Sequence, residues 1–443
     1  MLKRLGDSSD FDMSGAAVAI RDADFPAPFK SGLEYAPPTR GTWNIVHTGM
    51  LVPQAHEIFV CAAGCLRGVV LTAAEMGAMD RFSTIEIREN NVLEGDMDEL
   101  ILDGVGDILS RLKKRPPAVL LYTSCIHHFM GIDLKRIYRE LRKRYPDVDF
   151  TDCYMNPIMR KSGLTPDQLM RRQLYSLLKP REHDGGVSIV GNDFALDDDS
   201  MLKQIIRSSG RTLREIQSYD TYNDYQQMAA SSICISTIPA ARASGDALKL
   251  RLGQEHIYLP QSYDYETLCS NAHILSQALG APEYDVDASR AQALDALRGV
   301  KQLIGDTPIA LDYTLTARPL ELAKLLIEQG FTVKNIYIDS ISGEERAAFD
   351  WLKNNAPDIM LYPTVHTKMR MMPRKHEGEL LALGQKAAYF TCADHFVNVV
   401  EDGGMYGYEG VKRLAKLMIE AMAQRRDARD YVQAKGLGCV CCL

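Results

Sequence analysis

The stretch Ile309–Asp339, IALDYTLTARPLELAKLLIEQGFTVKNIYID, decides the fold class. Its apolar run Ile309–Tyr313 predicts a buried strand, and Pro319 stands where the first turn of a helix tolerates proline. The spacing predicts a helix over Leu320–Gln329, ended by the following glycine, and a second strand over Val333–Asp339. The stretch therefore predicts a strand–helix–strand crossover.

The same alternation of apolar runs and helical stretches occurs along most of the chain. Further strands are predicted at Ala118–Tyr122, Val187–Gly191, Ser232–Ile235, His256–Pro260 and Asp358–Tyr362. Further helices are predicted at Leu134–Tyr145, Asp198–Arg207, from a capping box of Ser342 and Glu345 to just before Pro357, and at Tyr408–Ala434. Strands that alternate with helices favour an α/β fold with parallel sheets covered on both faces.

This pattern predicts three Rossmann-like α/β domains. We place them at residues 46–180, 181–300 and 301–425. An irregular N-terminal arm over 1–45 precedes them, and 426–443 forms the helix end and a cysteine-rich tail. A chain of 443 residues is long enough for two or three such domains.

Composition excludes several classes of protein. The chain is 46% hydrophobic and 25% charged, as expected for globular domains, and its net charge of −7 gives no sign of a nucleic-acid partner. No apolar run is long enough to span a bilayer and the N-terminus has no signal core, so we expect a cytoplasmic protein without membrane contact. Ten cysteines are too few for a disulfide scaffold and predict free thiols.

Three of these cysteines follow predicted strands. Cys61 and Cys65 lie in a strand-to-helix turn after the apolar run Ile58–Val60, and Cys125 closes a second turn after a buried strand. Turns that leave the carboxyl ends of parallel strands meet at one sheet edge, where α/β domains bind ligands. Thiolates placed together there suit an iron–sulfur cluster. Taken singly, each cysteine is more typical of a small buried side chain, and it is the joint placement of the three at turns that favours the cluster.

The chain also resembles a known family. The resemblance spans roughly residues 40–425 and is carried by four short motifs, namely Phe59–Cys65, Thr123–Cys125 with Gly131–Asp133, Leu315–Pro319, and Gly404–Gly410. These are similar to motifs of component 1 of the nitrogenase-like oxidoreductases. That family includes nitrogenase molybdenum–iron protein subunits, cofactor-assembly scaffolds, and protochlorophyllide reductase-like and F430 cyclase-like relatives.

The resemblance implies an electron-relay cluster. It implies three domains around a central cleft, a dimer, and an ATP-dependent iron protein as electron donor. Cys65 and Cys125 match two cluster ligands of the family, whereas the earlier ligand cysteine is missing, since Tyr35–Val60 contains none. Cys61 is the substitute that lies nearest. This departure favours a [4Fe–4S] cluster, shared across a homodimer or with a sister subunit.

At the substrate end, the resemblance implies a role for Arg318, which matches an arginine facing the central pocket. A guanidinium there can pair with a carboxylate or stabilise developing charge. His395 lies two residues from the family's histidine ligand, and we add His366 as a third catalytic candidate. Ser236 or Thr237 stands near the position of a cofactor-ligating cysteine, with Cys234 slightly early. A second metallocofactor is therefore not expected to be of the iron–molybdenum type.

Several weaker candidates have a structural alternative. His127 and His128 follow Cys125, and since adjacent side chains point apart, at most one contacts a cluster. Cys153 by default is a buried thiol, while Arg242 and Arg370 follow strands, where arginines are usually solvated. Cys392 lies beside His395. The tail cysteines Cys439, Cys441 and Cys442 are either a metal or redox site or merely a cysteine-rich end.

The sequence leaves three functions open. Without a Walker A motif the chain is not expected to bind ATP in that way, and it lacks the H-E-x-x-H, G-x-S-x-G and G-x-G-x-x-G motifs. The leading hypothesis is a nitrogenase-like reductase component that reduces a substrate or metallocofactor in the cleft. The alternatives are a non-catalytic scaffold for cluster assembly and a metal-free protein that binds a small ligand, since fold does not fix function.

Overall fold

A computed structural model describes residues 12–35, 44–155 and 163–428. Among these residues the strands, in chain order, are β1 (Val18–Ala19), β2 (His56–Cys61), β3 (Phe82–Glu86), β4 (Ala118–Ser124), β5 (Asp149–Met155), β6 (Gly186–Ile189), β7 (Leu213–Glu215), β8 (Ser231–Ser236), β9 (Glu255–Tyr258), β10 (Pro308–Asp312), β11 (Thr332–Tyr337), β12 (Met360–Tyr362), β13 (Leu381–Leu383) and β14 (His395–Val397).

The α-helices connect and cover these strands. In chain order they are α1 (Ile45–Gly49), α2 (Ala63–Glu75), α3 (Glu89–Glu94), α4 (Met97–Arg111), α5 (Cys125–Phe129), α6 (Leu134–Arg144), α7 (Pro166–Gln173), α8 (Met201–Ser208), α9 (Tyr222–Tyr225), α10 (Arg242–Leu252), α11 (Tyr265–Leu279), α12 (Val286–Ile304), α13 (Pro319–Glu328), α14 (Arg346–Asn355), α15 (Gln385–Thr391) and α16 (Gly407–Ala423).

The strands form three sheets. The first sheet has the order β3-β2-β4-β5, the second β7-β6-β8-β9, and the third β1-β12-β11-β10-β13-β14. All strand pairs are parallel except that of β1 with β12, so the described part of the N-terminal arm adds one antiparallel edge strand. The predicted α/β fold with parallel sheets is confirmed.

In each sheet, the first parallel strand has later strands of the chain on both sides, so the direction in which strands are added reverses there. In the first sheet β2 is followed by β3 on one side and then by β4 on the other, and β10 in the third sheet lies between β11 and β13 in the same way. The loops after the two strands at such a switch point diverge and leave a crevice at the carboxyl edge, where α/β sheets bind ligands. The switch points are therefore the places to look for a site.

The described residues divide into two compact units. Residues 12–35, 196–209 and 261–428 form one unit with the third sheet, and 44–155, 163–195 and 210–260 form the other with the first and second sheets. The boundaries expected from the sequence at residues 180, 300 and 425 stay predictions, because a compact unit and a sheet-based domain are different divisions. No helix in the described ranges is long and apolar enough to cross a bilayer.

The first sheet is buried on both faces. Phe59, Cys61 and Tyr122 pack into one apolar cluster, while Ile58 and Leu121, their neighbours in the strands, pack into another. Because successive side chains of a strand point to opposite faces, this pattern shows that helices cover the sheet on both sides. The first sheet can therefore admit a ligand only at its edges.

Two predicted helix ends need correction. The helix predicted at Tyr408–Ala434 is interrupted: α16 ends at Ala423, and residues 424–427 are not helical, because the Arg426 amide donates to the Asp394 carbonyl oxygen at 2.7 Å. Residues 429–434 of that prediction lie outside the described residues. The Ser342–Glu345 capping box does not form either. Ser342 accepts from the Glu344 amide, whereas the Glu345 carboxylate accepts from Leu320 and Glu321 at the start of α13. Both corrections come from contacts distant in sequence.

Candidate metal centre

The three predicted cysteines lie at the switch point of the first sheet. Strand β2 ends at Cys61, and β4 ends directly before Cys125. These strands are neighbours, with Val60 opposite Thr123 in parallel register, so Cys61 and Cys125 leave the sheet at the same edge. Cys65 lies in the first turn of α2, four residues after Cys61. The structure therefore brings these three positions to one edge.

Exposure differs among the three thiols. Cys61 is buried, Cys65 is exposed and Cys125 is intermediate, and all three are free thiols. Burial, and to a smaller extent the neighbouring Cys65 and Cys125, together raise the pKa of Cys61 to about 12. The two neighbours affect this pKa only because they lie within electrostatic range of it.

The start of α2 is open. Ala62, its N-cap residue, provides no side-chain cap, and Ala63, Gly64 and Cys65 are exposed. A Cβ atom built on Gly64 would meet nothing within 4 Å. The first turn of α2 therefore presents Cys65 on an accessible surface of small residues.

The three thiols fit an iron–sulfur cluster better than a single metal ion. In the described part of the chain, no three His, Cys, Asp or Glu side chains form a group that could hold a metal ion. An iron–sulfur cluster has a different requirement, because each thiolate binds a separate iron rather than one common ion. Three thiols at one edge, one of them exposed, suit the chemistry of such a cluster. In a cluster of four irons they would leave one iron for a further ligand.

The neighbouring histidines differ in environment. His127 is buried, and its Nδ1 accepts a hydrogen bond of 3.0 Å from the Ser124 amide, whereas His128 is exposed. Burial lowers the pKa of His127. Cys153 is fully buried on β5, where burial raises the pKa of its thiol well above the ordinary value. Cys153 thus lies in the apolar cluster that also contains Tyr122.

Arg318 lies at the carboxyl edge of the third sheet. It is the N-cap residue of α13 and only 3% exposed. Its guanidinium donates to the Glu344 carboxylate and lies 3.6 Å from a Glu321 oxygen. Its charge is therefore balanced by carboxylates of the same chain.

The two catalytic histidine candidates lie at opposite edges of the third sheet. His366 follows β12 at the carboxyl edge and accepts from the Lys368 amide through Nδ1 at 3.1 Å. His395 opens β14, level with Leu381 at the start of β13, and its Nδ1 lies 2.9 Å from the Ala421 carbonyl oxygen. The structure therefore places His366 at the same edge as Arg318. His395 lies at the opposite edge, away from both residues. Their catalytic roles stay predictions.

The second sheet contains a hydrogen-bonded trio that the sequence did not suggest. Ser236 Oγ lies 2.8 Å from His256 Nε2, and His256 Nδ1 lies 2.8 Å from Asp246. Ser236 is completely buried, so its hydroxyl is not accessible to a substrate. The trio ties β8, β9 and α10 together, and a Cβ on Gly245 would lie 2.2 Å from the His256 ring. The pairing of β8 with β9 and the packing of α10 against them bring these residues together, and no sequence motif reveals it.

The remaining candidates have ordinary surroundings. Thr237 donates to Asn192, and Cys234 is buried on β8. Arg242 is exposed and stacks over the Tyr258 ring at 4.8 Å. The last two candidates of the described chain are Arg370, which is exposed, and Cys392, which is partly exposed at the end of α15. Cys439, Cys441 and Cys442 lie outside the described residues.

Comparison with known proteins then identifies the class. The chain has a parallel α/β fold with three thiols at one switch point. Its residues 47–423 match the family model described as nitrogenase component 1 type oxidoreductase. The chain belongs to this family, which confirms the resemblance seen in the sequence. The family is one of oxidoreductases that generally bind iron–sulfur clusters and metallocofactors, form oligomers and work with an iron protein.

Solved structures agree with this fold. A structure titled "Nitrogenase Cp1 at pH 6.5" superposes with a TM-score of 0.65 at 14% identity and covers 89% of this chain and 94% of that one. Another, "Nitrogenase Cp1 at pH 5", gives a TM-score of 0.59 at 12% identity over 92% of this chain and 94% of that one. A comparison with curated protein sequences gave no match.

Proposed function

We propose that this chain is the cluster-holding component of a two-component reductase. In this proposal Cys61, Cys65 and Cys125 hold an iron–sulfur cluster of the [4Fe–4S] type, and an ATP-dependent iron protein supplies its electrons. The observation that supports it is the meeting of three thiols at the switch point of the first sheet. A bound cluster of this kind accepts and releases single electrons.

The chain's own residues account for the binding environment. Cys61 is buried at the strand end, so it would supply the inner ligand, while the exposed Cys65 and the partly exposed Cys125 would supply the outer ones. Because Cys65 lies on an accessible surface, a second copy of the chain or a sister subunit can complete the ligand set. Free thiols at all seven described cysteines suit a reducing compartment, and we place the protein in the cytoplasm.

Iron analysis tests the proposed cluster. The chain is purified without oxygen, its iron and sulfide are counted, and the dithionite-reduced protein is examined by electron paramagnetic resonance. We expect Cys65→Ala and Cys125→Ala each to lose most of the iron and the signal. Cys269→Ala is the matched control, because Cys269 is an exposed free thiol on α11. Iron-free wild-type protein, or iron retained by both cluster variants, would contradict the proposal.

Electron transfer tests the proposed donor. A reduced iron protein of the nitrogenase type is mixed with this chain and ATP, and its oxidation is followed by absorbance. We expect oxidation that requires ATP and is lost in Cys65→Ala. Oxidation at the same rate with Cys65→Ala would show that the thiols do not take part.

A scaffold for cluster assembly is the second candidate. It is favoured by the third sheet, where Arg318 is engaged by Glu321 and Glu344, and His395 lies at the other edge. A scaffold needs no residues poised for substrate reduction, but it must release its cluster. Transfer of labelled iron to a recipient apoprotein, without turnover of a substrate, would favour this second function over the first.

A further inference from the structure

A cavity of about 560 Å³ lies next to the first-sheet site, within the same compact unit. Its walls come from the end of β4, α5 and the loop after it, the start of α6, the end of β5, residues 163–164, and α7. Ile132, Leu134, Leu164 and Leu169 supply apolar wall, and Arg172 is the charged residue that lines it. This volume and mostly apolar lining are typical of sites for small organic molecules.

His127 lines this cavity with an unused donor. Its Nδ1 accepts a hydrogen bond from the Ser124 amide, so in the neutral imidazole the proton sits on Nε2. The Nε2 atom is buried, and none of the described residues accepts a hydrogen bond from it. A buried donor without an acceptor costs about 1–3 kcal/mol, which a ligand oxygen would recover.

Arg172 provides a positive charge at the same cavity. It is partly exposed, and no carboxylate in the described ranges forms an ion pair with it. Tyr154, which also lines the cavity, donates its own hydroxyl proton to Asp152, so that carboxylate is occupied. The cavity thus offers one N–H donor and one guanidinium within an apolar lining, which selects an anion over a cation or a neutral molecule.

We propose that this cavity binds an organic carboxylate with an apolar body. The carboxylate pairs with Arg172, an oxygen of the ligand accepts from His127 Nε2, and the body contacts the leucine and isoleucine side chains. This site is independent of the proposed cluster, because no ligand cysteine belongs to the cavity lining. It can therefore be tested in protein with or without iron.

Equilibrium dialysis with two matched probes tests the site. Pyrenebutyrate carries a carboxylate, and pyrenebutanol has the same body without charge. We expect one saturable site that binds the carboxylate at least about tenfold more tightly than the alcohol. Arg172→Gln and His127→Phe should each weaken pyrenebutyrate binding about tenfold, the effect of one charge-assisted hydrogen bond. Arg139→Gln is the control, since Arg139 is an exposed arginine on α6 that does not line the cavity.

A cavity-filling variant locates the probe. Leu169→Trp puts a large ring into the space and should abolish binding of both probes, while the iron content stays unchanged. Equal binding of the two probes, full binding by Arg172→Gln, or full binding by Leu169→Trp would each overturn the proposal, as would the absence of saturable binding. Loss of iron in Cys65→Ala with probe binding intact would separate this site from the cluster.

Discussion

The switch points of the first and third sheets have the same topology but opposite contents. In the first sheet, Cys61 and Cys125 leave neighbouring strands, and the adjacent turn of α2 is exposed. In the third sheet, Asp312 is the last residue of β10, and its carboxylate accepts from the amides of Thr314 and Ala387, both at 2.6 Å. The first edge leaves Cys65 exposed and Cys125 partly exposed, and at the third edge the Asp312 carboxylate is satisfied within the chain.

This difference shows that a switch point in the strand order provides a crevice, but that the side chains in it decide whether a ligand can bind there. The third edge is stabilised by its own charges, since Arg318 pairs with Glu321 and Glu344, and the Tyr263 hydroxyl donates to Asp402. The first edge has three thiols free of disulfides in the described part of the chain and a helix start without a side-chain cap. This contrast is the reason why we propose the cluster at the first edge and not at the third.

The largest expected effect is that of removing the Arg318 charge. Arg318→Met removes a buried cation and leaves the carboxylates of Glu321 and Glu344, whose side chains are 12% and 31% exposed, without it, so we expect a loss of about 3–5 kcal/mol in the free energy of unfolding. Urea unfolding followed by circular dichroism measures it. Arg370→Met, at an exposed arginine, should change stability by less than about 0.5 kcal/mol. A loss below about 1 kcal/mol for Arg318→Met would mean that the ion pairs of Arg318 do not stabilise the third edge.

The next effect concerns the packing around Asp312. Gly384 has a φ of +110°, and a Cβ there would lie 2.3 Å from an Asp312 carboxylate oxygen. Gly384→Ala should therefore destabilise the protein by about 2–4 kcal/mol, from backbone strain and overpacking together. Gly378 also has a positive φ, of +69°, but a Cβ there meets nothing within 4 Å. Gly378→Ala should cost less, and equal losses would show that the Asp312 contact is unimportant.

The pH dependence of stability comes next in size. Burial raises the pKa of Asp402 to about 7 and that of Glu345 to about 8. Both groups keep their protons in the folded chain at pH values where the unfolded chain has lost them. Their contribution to stability is complete below about pH 4, falls as the pH rises, and is lost above the folded pKa values. Each group contributes a slope of at most about 1.4 kcal/mol per pH unit.

Two variants test whether Asp402 and Glu345 cause this decrease of stability with pH. Asp402→Asn should flatten the decrease between about pH 4 and 7, and Glu345→Gln the decrease between about pH 4 and 8. Urea unfolding at a series of pH values measures both. A slope that neither variant changes would contradict the assignment, because the acid groups responsible would then lie elsewhere.

Local sequence predicted the elements well because local chemistry determines them. Pro319 begins α13 as expected, and the strand over 309–313 is seen as β10. The positions of Cys61 and Cys125 at one edge followed from the rule that loops after parallel strands share an edge. These features need only the order of strands and helices.

Side-chain partners distant in sequence were not predictable. Glu345 was expected to cap its own helix, but it accepts from the start of α13. The Ser236–His256–Asp246 trio depends on strand pairing and on the packing of α10. The cavity beside His127 likewise requires that α5 and α7 lie close together. Such contacts depend on how elements pack, which no local pattern contains.

The smallest expected effect examines the open edge itself. Gly64 lies in the first turn of α2, where a Cβ meets nothing within 4 Å, so Gly64→Ala should stabilise the iron-free chain by about 0.5–1 kcal/mol. If this edge receives a cluster and a second subunit, the added methyl group should also lower the iron content of protein purified without oxygen. Gly299→Ala in α12 has the same open surroundings and should stabilise without affecting iron. Urea unfolding and iron analysis of both variants give the comparison. A Gly64→Ala variant that is stabilised and keeps all its iron would show that the open surface of α2 is not used, and the contrast between the two switch points would then rest on the thiols alone.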